Sequence, residues 1–177
     1  LASPTNTVTI RPAATAVNLT IASANTTATV DLNGATNVVI DCRAGGSGPT
    51  QLGIGNLAPT APAVRFINGA SRNTIQSCGI GAINTATTSG VVLFSTSNGV
   101  TGNNNNTIDS CTIGDLTTGA FPANGITSIG TASTAQLNTG NVISNNNIAN
   151  FFGAGTATNG ILVTTNTNLS NTGWTIT

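Results

Sequence analysis

The sequence predicts an all-β fold, a right-handed parallel β-helix whose coils are about 35 residues long. Three observations lead to this prediction. Two different short motifs recur along the chain with a shared period, and each alternates apolar and polar residues as a β-strand does. The segments between them are rich in Gly, Asn, Ser and Thr, which favour turns over helices.

The first motif opens on Asn and then alternates apolar with polar residues. It reads NVVIDC from Asn37, NTIQSC from Asn73, NTIDSC from Asn106 and NVISNN from Asn141, so its starts lie 36, 33 and 35 residues apart. The segment WTI from Trp174 has the pattern of another opening. We therefore expect one strand of this motif in every coil.

Each copy of the first motif also predicts a bend. Ile75 and Ile108 face inward in the predicted strand and are followed five residues later by Ile80 and Ile113. Because side chains alternate between the two faces of a strand, an odd spacing between two inward residues requires the chain to bend. The residues nearest this bend are Cys42, Cys78, Cys111 and Asn146.

A second motif lies between the copies of the first and supplies a further strand. It reads AVRFI from Ala63, GVVLF from Gly90, GITSI from Gly125 and GILVT from Gly160, and the last three starts are 35 residues apart. Its alternation predicts that the following side chains face the interior: Val64, Phe66, Val91, Leu93, Ile161 and Val163.

The whole chain fits one domain. We assign residues 1–177 to a single β-helix, with 1–36 as an irregular first coil and 37–177 as about four repeats. Only 5% of the residues are charged and the net charge is zero, which argues against binding of DNA or RNA. The apolar content of 38% argues against disorder, and no apolar run has the length of a membrane span.

The motifs resemble the parallel β-helix repeats of pectate-lyase-like proteins. The resemblance rests on NTIxSCxI, NVISNNNI and NGI and covers roughly residues 30–177. More narrowly, AVRFINGASRNTI, SGVVLFSTSNG and NTGWTIT resemble segments of long secreted β-helix proteins of Bacteroidota-type bacteria. This resemblance implies a large adhesin-like protein in an extracellular location, on the bacterial cell surface.

The residues at the predicted bend are expected to form an internal column. Stacked coils would place Cys42, Cys78 and Cys111 above one another, and Asn146 would continue this structural ladder. We expect free thiols, because side chains that point the same way are poorly oriented for a bridge even where the Cα separation suits one. One disulfide with a thiol left over is the alternative. We expect no metal site and no cofactor, since the chain has no His and few carboxylates.

The chain contains few of the residue types that catalysis needs. A Ser–His or Cys–His nucleophile is excluded because there is no His. Glycoside hydrolysis needs two carboxyl groups beside the scissile bond, whereas Asp41 and Asp109 have different offsets in their motifs, which predicts opposite strand faces. No base accompanies Arg43, Arg65 and Arg72 for lyase chemistry, and we expect Arg65 to be solvated. We therefore predict no catalytic residue and keep a polysaccharide hydrolase or lyase as the alternative.

The ends of a solenoid present unpaired strand edges, which natural proteins usually cap. The sequence contains no amphipathic capping helix, and Val8, Ile10, Trp174 and Ile176 are candidates for contacts at the two ends. We expect end-to-end self-association into an extracellular filament with a structural or adhesive function and no membrane span. Neighbouring repeats of a longer chain, as in a monomeric adhesin, would cover the same ends. A module that binds surface glycans is a further alternative.

Overall fold

The chain folds as an all-β parallel β-helix, which confirms the fold class predicted from the repeats. The structure is a computed structural model, which describes residues 6–96, 101–129, 133–153, 155–166 and 169–177. These residues form five successive coils and the first strand of a sixth. Each of the five coils contributes one strand to each of three parallel sheets.

The strands follow one another coil by coil. The first coil contains β1 (Val8–Ile10), β2 (Leu19–Ser23) and β3 (Val30–Asn33). The second contains β4 (Val38–Asp41), β5 (Leu52–Asn56) and β6 (Val64–Ile67). The third contains β7 (Thr74–Gln76), β8 (Gly79–Ala82) and β9 (Val92–Phe94).

The later coils repeat this order. The fourth contains β10 (Thr107–Asp109), β11 (Thr112–Asp115) and β12 (Asn124–Ser128). The fifth contains β13 (Val142–Ser144), β14 (Asn147–Ile148) and β15 (Asn159–Val163). An antiparallel pair, β16 (Thr165–Asn166) and β17 (Leu169–Ser170), then leads to β18 (Thr175–Ile176).

Three sheets extend along the stack. The first sheet has the order β1-β4-β7-β10-β13-β18, the second β2-β5-β8-β11-β14 and the third β3-β6-β9-β12-β15. The first and second sheets lie on either side of the bend in the first motif, and the third sheet contains the second motif. Helix within the described ranges is limited to two short 3₁₀ turns, Ala44–Gly46 and Thr134–Gln136. Neither has the length or apolarity that a membrane-crossing helix requires.

Residues in the left-handed backbone region turn the chain just before five strands of the first sheet, namely β4, β7, β10, β13 and β18. Asn37, Arg72 and Asn105 have φ angles of 54°, 56° and 56°, and Gly140 and Gly173 have 64° and 65° at the equivalent places in the next two coils. Asn and Gly adopt this conformation more readily than other residues. The Asn-rich and Gly-rich composition is therefore partly a requirement of a turn that recurs from the second coil onward.

The bend between the first and second sheets also depends on left-handed residues. Ser77, Ser110 and Asn145 have φ angles of 54°, 55° and 55°. Each lies directly before the residue that was predicted to be nearest the bend. Two residues separate β7 from β8, so the chain turns sharply and both strands direct apolar side chains to the interior.

The register of the first motif differs by one residue from its alignment by sequence. Ile40 pairs with Ile75, so Val38, and not Asn37, is level with Asn73. The spacing of 36 residues expected between the first two copies is therefore 35. The physical reason is that Asn37 forms the left-handed turn before the strand and does not belong to the strand itself.

The second motif also shows a shift of one residue in its third-coil copy. Phe66 pairs with Phe94, so Phe94 and Val92 are the inward residues of β9. The prediction that Leu93 faces inward is wrong, because this copy has one more residue ahead of its strand. Val91 is buried directly before β9. The rings of Phe66 and Phe94 stack with their centroids 4.4 Å apart, which continues the apolar column from coil to coil.

Columns of isoleucine fill the rest of the interior. In the first sheet the stacked residues are Ile40, Ile75, Ile108 and Ile143, and none is more than 4% exposed. In the second sheet they are Ile54, Ile80 and Ile113. Each isoleucine is stacked between isoleucines of the two adjacent coils. Burial is therefore uniform along the middle of the stack and depends on neighbouring coils.

Two glycine substitutions should separate close packing of backbone from open surface. A Cβ at Gly125 would lie 2.6 Å from the carbonyl oxygen of Gly160 on the next coil, whereas a Cβ at Gly79 would meet no atom within 4 Å. We expect Gly125→Ala to lower the free energy of unfolding by about 1–3 kcal/mol. We expect Gly79→Ala to leave it unchanged or raise it by up to about 1 kcal/mol. Urea unfolding measures both; equal losses would contradict the described packing.

Candidate functional site

The column at the bend contains a disulfide. Cys42 and Cys78 are joined across neighbouring coils, with their Cα atoms 4.9 Å apart. The expectation of three free thiols is therefore wrong. Stacking sets a Cα separation inside the range that disulfides need, and rotation about the Cα–Cβ bonds can direct both sulfur atoms along the axis. Parallel Cα–Cβ vectors consequently do not prevent the bridge.

The next two members of the column are a free thiol and an amide in equivalent places. Cys111 is buried, and its Sγ accepts a hydrogen bond from the backbone N–H of Cys78 at 3.5 Å. Oδ1 of Asn146 accepts the backbone N–H of Cys111 at 2.9 Å, and Nδ2 of Asn146 donates to the carbonyl oxygen of Ile108 at 2.9 Å. Burial raises the pKa of Cys111 to about 11, so its thiol stays protonated near neutral pH.

A ladder of buried asparagines stands at the start of the first sheet. Nδ2 of Asn73 donates to Oδ1 of Asn106 at 3.0 Å, and Nδ2 of Asn106 donates to Oδ1 of Asn141 at 3.1 Å. The same oxygens accept the backbone N–H of the preceding coil, at 3.1 and 2.9 Å. Each amide thus supplies a donor and an acceptor to backbone groups that the sheet does not pair.

Two further amide pairs repeat this arrangement at other corners of the coil. Nδ2 of Asn103 donates to Oδ1 of Asn138 at 3.0 Å, and Nδ2 of Asn159 donates to Oδ1 of Asn124 at 3.0 Å. Both pairs have a spacing of 35 residues, which is the repeat period. That spacing was the available signal for these pairs. The sequence reasoning missed them because Asn is so common in the chain.

Trp174 takes the ladder position in the last described coil. Its indole Nε1 donates to the carbonyl oxygen of Asn138 at 2.7 Å, much as Nδ2 of Asn141 donates to that of Asn103 at 2.9 Å. Its ring packs edge-on against Phe94 with centroids 4.9 Å apart. Trp174, a predicted end-contact residue, is therefore half-buried and fills the interior near the end of the stack.

Apolar residues of the inward columns are exposed at the first coil. Ile10 is level with the buried Ile40 but is 47% exposed, and Val8 and Ile21 are exposed as well. A cavity of about 560 Å³ opens between β1, β3 and β4, with Leu32 on its wall. The first coil therefore presents the cross-section of the stack to solvent.

The other end of the stack shows the same exposure. Ile176 is level with the buried Ile143 but is 52% exposed. Val163 is level with Ser128 and is also exposed, although its position was predicted to face inward. The inward register is correct for Val163. Its exposure follows from its place in the fifth coil, because no described strand pairs with β15 on its outer side.

Asp41 and Asp109 lie on the same face of the first sheet. Both are paired with Gln76, which stands between them on the intermediate coil, and Ser144 continues the row beyond Asp109. The prediction of opposite faces is therefore wrong, for the same reason as the one-residue shift at Asn37. The two carboxylates are two inter-strand spacings apart, which is a Cα distance of about 10 Å.

Both carboxylates are held in the ionised form. Arg43 binds Asp41 through two donors at 2.8 and 2.7 Å, and Gln76 donates to it at 2.9 Å. The Arg43 guanidinium is the main cause of a pKa of about 2 for Asp41. Hydrogen bonds lower the pKa of Asp109 as well, first from Ser144 at 2.6 Å and then from its other neighbours. Neither carboxyl group is a proton donor near neutral pH.

The arginines have separate partners and form no common anion site. Arg65 pairs with Asp31 in the third sheet at 2.6 Å, so it is bound and not simply solvated as predicted. Nε of Arg72 donates to Oδ1 of Asn37 at 3.2 Å, in the turn before the first sheet. Within the described part of the chain, no three side chains of His, Cys, Asp or Glu are placed to share a metal ion.

A groove crosses the outer surface of the second sheet. Its floor is the bare backbone of Gly53, Gly79 and Gly114, and Leu116 leans over part of it. Its one carboxylate is Asp115, which accepts a hydrogen bond from Asn150 at 2.9 Å. The groove therefore lacks the pair of carboxyl groups that glycoside hydrolysis requires.

Comparison of the chain with protein-family models, with curated proteins and with solved structures gives no match. The folded repeat itself therefore provides the argument about function, through its columns, its carboxylates and its ends.

Removal of one ladder amide should destabilise the stack. Asn106→Ala leaves the backbone N–H of Asn73 without a partner in a buried place. The carbonyl of Ala70 and Oδ1 of Asn141 each lose one hydrogen bond and keep another, from the backbone N–H groups of Asn104 and residue 106. We expect the free energy of unfolding to fall by about 1–3 kcal/mol. The matched control is Asn147→Ala, an exposed strand position, where a change within about 0.5 kcal/mol is expected. Equal effects in urea unfolding would contradict the ladder.

Asp41→Asn should reduce the acid sensitivity of the fold. Because the pKa of Asp41 is about 2 in the folded chain and about 3.9 in an unfolded one, its ionised form stabilises the fold above about pH 4. That stabilisation disappears as the pH falls from about 4 through about 2. We expect the urea midpoint, followed by Trp174 fluorescence, to fall less steeply in the variant across this window.

Arg43→Gln provides the control for this measurement, since it removes the guanidinium that is the main cause of the low pKa. It should flatten the same pH window while the carboxylate remains. Unchanged steepness in both variants would contradict the assignment of the ion pair.

Proposed function

We propose that this chain is a non-enzymatic structural and adhesive protein of the bacterial cell surface that stacks end to end into a filament. The observation that carries the proposal is the exposure, at both ends, of apolar residues that continue the buried columns. Ile10 and Ile176 are 47% and 52% exposed, whereas Ile75 in the middle of the same column is fully buried. Another coil is the surface that fits both ends.

A second copy of the chain has the geometry to cover them. Among the residues that the structure describes, β1 has no partner strand on one side of the first sheet and β18 has none on the other, and all strands of the sheet are parallel. If β1 of one copy pairs with β18 of the next, Ile10 stacks on Ile176 and the column continues without a break. The two contacting surfaces differ, so the contact repeats as an open filament and does not close as a dimer.

The disulfide and the composition support an extracellular location. Disulfides persist in oxidising compartments, and the Cys42–Cys78 bond is buried in the middle of the stack. The near absence of charge and the abundance of Asn and Thr are typical of the long secreted β-helix proteins that the repeat motifs resemble. Adhesion would then depend on the turns and loops that the rigid coils present to solvent.

A polysaccharide hydrolase or lyase is the second candidate, because Asp41 and Asp109 lie in one row. The Cα separation of about 10 Å is compatible with the carboxylate pair of an inverting glycosidase. Such an enzyme needs one of the two to be protonated, and the lowered pKa values of both oppose this role. Release of reducing ends from a panel of neutral and acidic polysaccharides, lost in Asp41→Asn and Asp109→Asn, would favour the enzyme.

End-to-end stacking should depend on the two exposed isoleucines. We expect the intact chain to grow in mass with concentration in light scattering and to form rods in electron microscopy. Ile10→Asp or Ile176→Asp places a charge in the contact and should leave monomers. Far-UV circular dichroism checks that each variant retains its strands.

Thr118→Asp is the matched control, because it adds the same charge at an exposed turn between β11 and β12, away from both ends. It should assemble as the unchanged chain does. A discrete monomer of the unchanged chain at high concentration would contradict the filament and favour an end cover supplied by neighbouring repeats.

A further inference from the structure

Three cysteines on consecutive coils share one column, and a disulfide can join only two of them at a time. Cys78 is the middle member. It is bonded to Cys42 on one side, and its backbone N–H donates to Sγ of Cys111 at 3.5 Å on the other. None of the three cysteines is more than 1% exposed, so their sulfur atoms contact one another's coils and not solvent.

Both neighbours of Cys78 lie within the Cα range of a disulfide. Ile75 pairs with Ile108, and Cys78 and Cys111 each follow these isoleucines by three residues, so the two cysteines are level and about one inter-strand spacing apart. Cys42 follows Ile40, the other partner of Ile75, by two residues, and its Cα atom lies 4.9 Å from that of Cys78. Cys42 and Cys111 are two coils apart, about 10 Å, which is too far for a direct bond.

We propose that the disulfide exchanges along this column, so that Cys78 is joined either to Cys42 or to Cys111. The thiolate of Cys111 attacks Sγ of Cys78. The Cys78–Cys111 bond forms as the Cys42–Cys78 bond breaks, and the electron pair leaves on Sγ of Cys42. Cys42 takes up one proton in place of the one that Cys111 lost, so the exchange requires no oxidant and no reductant.

Burial makes this exchange slow near neutral pH. The nucleophile is the thiolate, and burial raises the pKa of Cys111 to about 11. The charged group that acts on Cys111 is Asp109, whose negative charge raises the pKa further, while the stacked Cys78 and Asn146 carry no charge. Below about pH 11, the exchange rate should increase about tenfold for each unit by which the pH is raised, because the thiolate fraction increases in the same proportion.

The exchange moves a covalent link by one coil. In one isomer the second and third coils are joined, and in the other the third and fourth coils are joined. The two isomers have the same mass and the same number of thiols, so only the location of the free thiol distinguishes them.

Peptide mapping of the oxidised full chain tests the proposal. The chain is held at pH 7, 8 and 9, its free thiol is blocked by a maleimide in acidic denaturant, and it is digested with trypsin and with a protease that cuts before Asp. These cuts place the three cysteines on separate peptides, 41–43, 73–108 and 109–114. We expect the label on both 41–43 and 109–114, with 73–108 always disulfide-bonded, and faster equilibration at higher pH.

Three serine variants sharpen the test. In Cys42→Ser the oxidised chain should contain the Cys78–Cys111 disulfide and no free thiol. In Cys78→Ser no disulfide should form, because the remaining cysteines lie two coils apart. In Cys111→Ser the label should be absent, since Cys42 and Cys78 stay joined at every pH. Far-UV circular dichroism confirms that each variant is folded before mapping.

Two results would overturn the proposal. One is a folded Cys42→Ser chain that keeps two free thiols after oxidation with air and copper. The other is a label confined to peptide 109–114 after the unchanged chain has been held at pH 9 until no further change occurs.

Discussion

The buried asparagine amide that bonds to the preceding coil is the interaction on which the rest of the structure depends. At the start of the first sheet, Asn106 accepts the backbone N–H of Asn73 and donates to the carbonyl of Ala70. These backbone groups lie at a corner that no sheet pairs, and a buried group left without a partner there would cost about 1–3 kcal/mol. Throughout the described residues, every buried side-chain nitrogen and oxygen has a partner. Satisfied corners hold each coil in register, and register places isoleucine on isoleucine.

The fold could be predicted from the sequence because its period and its alternation are visible without any knowledge of contacts. The register could not be predicted fully, because one residue type performs two tasks. Asn73 and Asn37 both open a copy of the first motif, yet Asn73 belongs to the amide ladder and Asn37 forms a left-handed turn. Backbone conformation distinguishes them, and the letter N does not. Arg72 holds the left-handed place beside Asn37 with no sequence signal.

The candidate sites show the same division. The sequence contains the column of Cys42, Cys78 and Cys111, but the bond between the first two depends on rotation about Cα–Cβ bonds, which spacing alone does not specify. Aligning the first motif on Asn37 predicted opposite faces for the two carboxylates. In the observed register, Asp41 and Asp109 lie in one row. Their ionised state depends on Arg43 and Ser144, contacts that only the folded coils create.

The disulfide gives the stack an uneven response to tension along its axis. The hydrogen bonds of all three sheets run from coil to coil, so an axial pull loads them directly and separates one coil from the next. The second and third coils are also linked by a covalent bond, whereas the fourth and fifth coils are held to their neighbours by hydrogen bonds and packing within the described residues. Extension would therefore begin at one of the other junctions, either between the first and second coils or among the later ones, and would leave the second and third coils joined. The position of a single bond thus decides which pair of coils stays together as the chain extends.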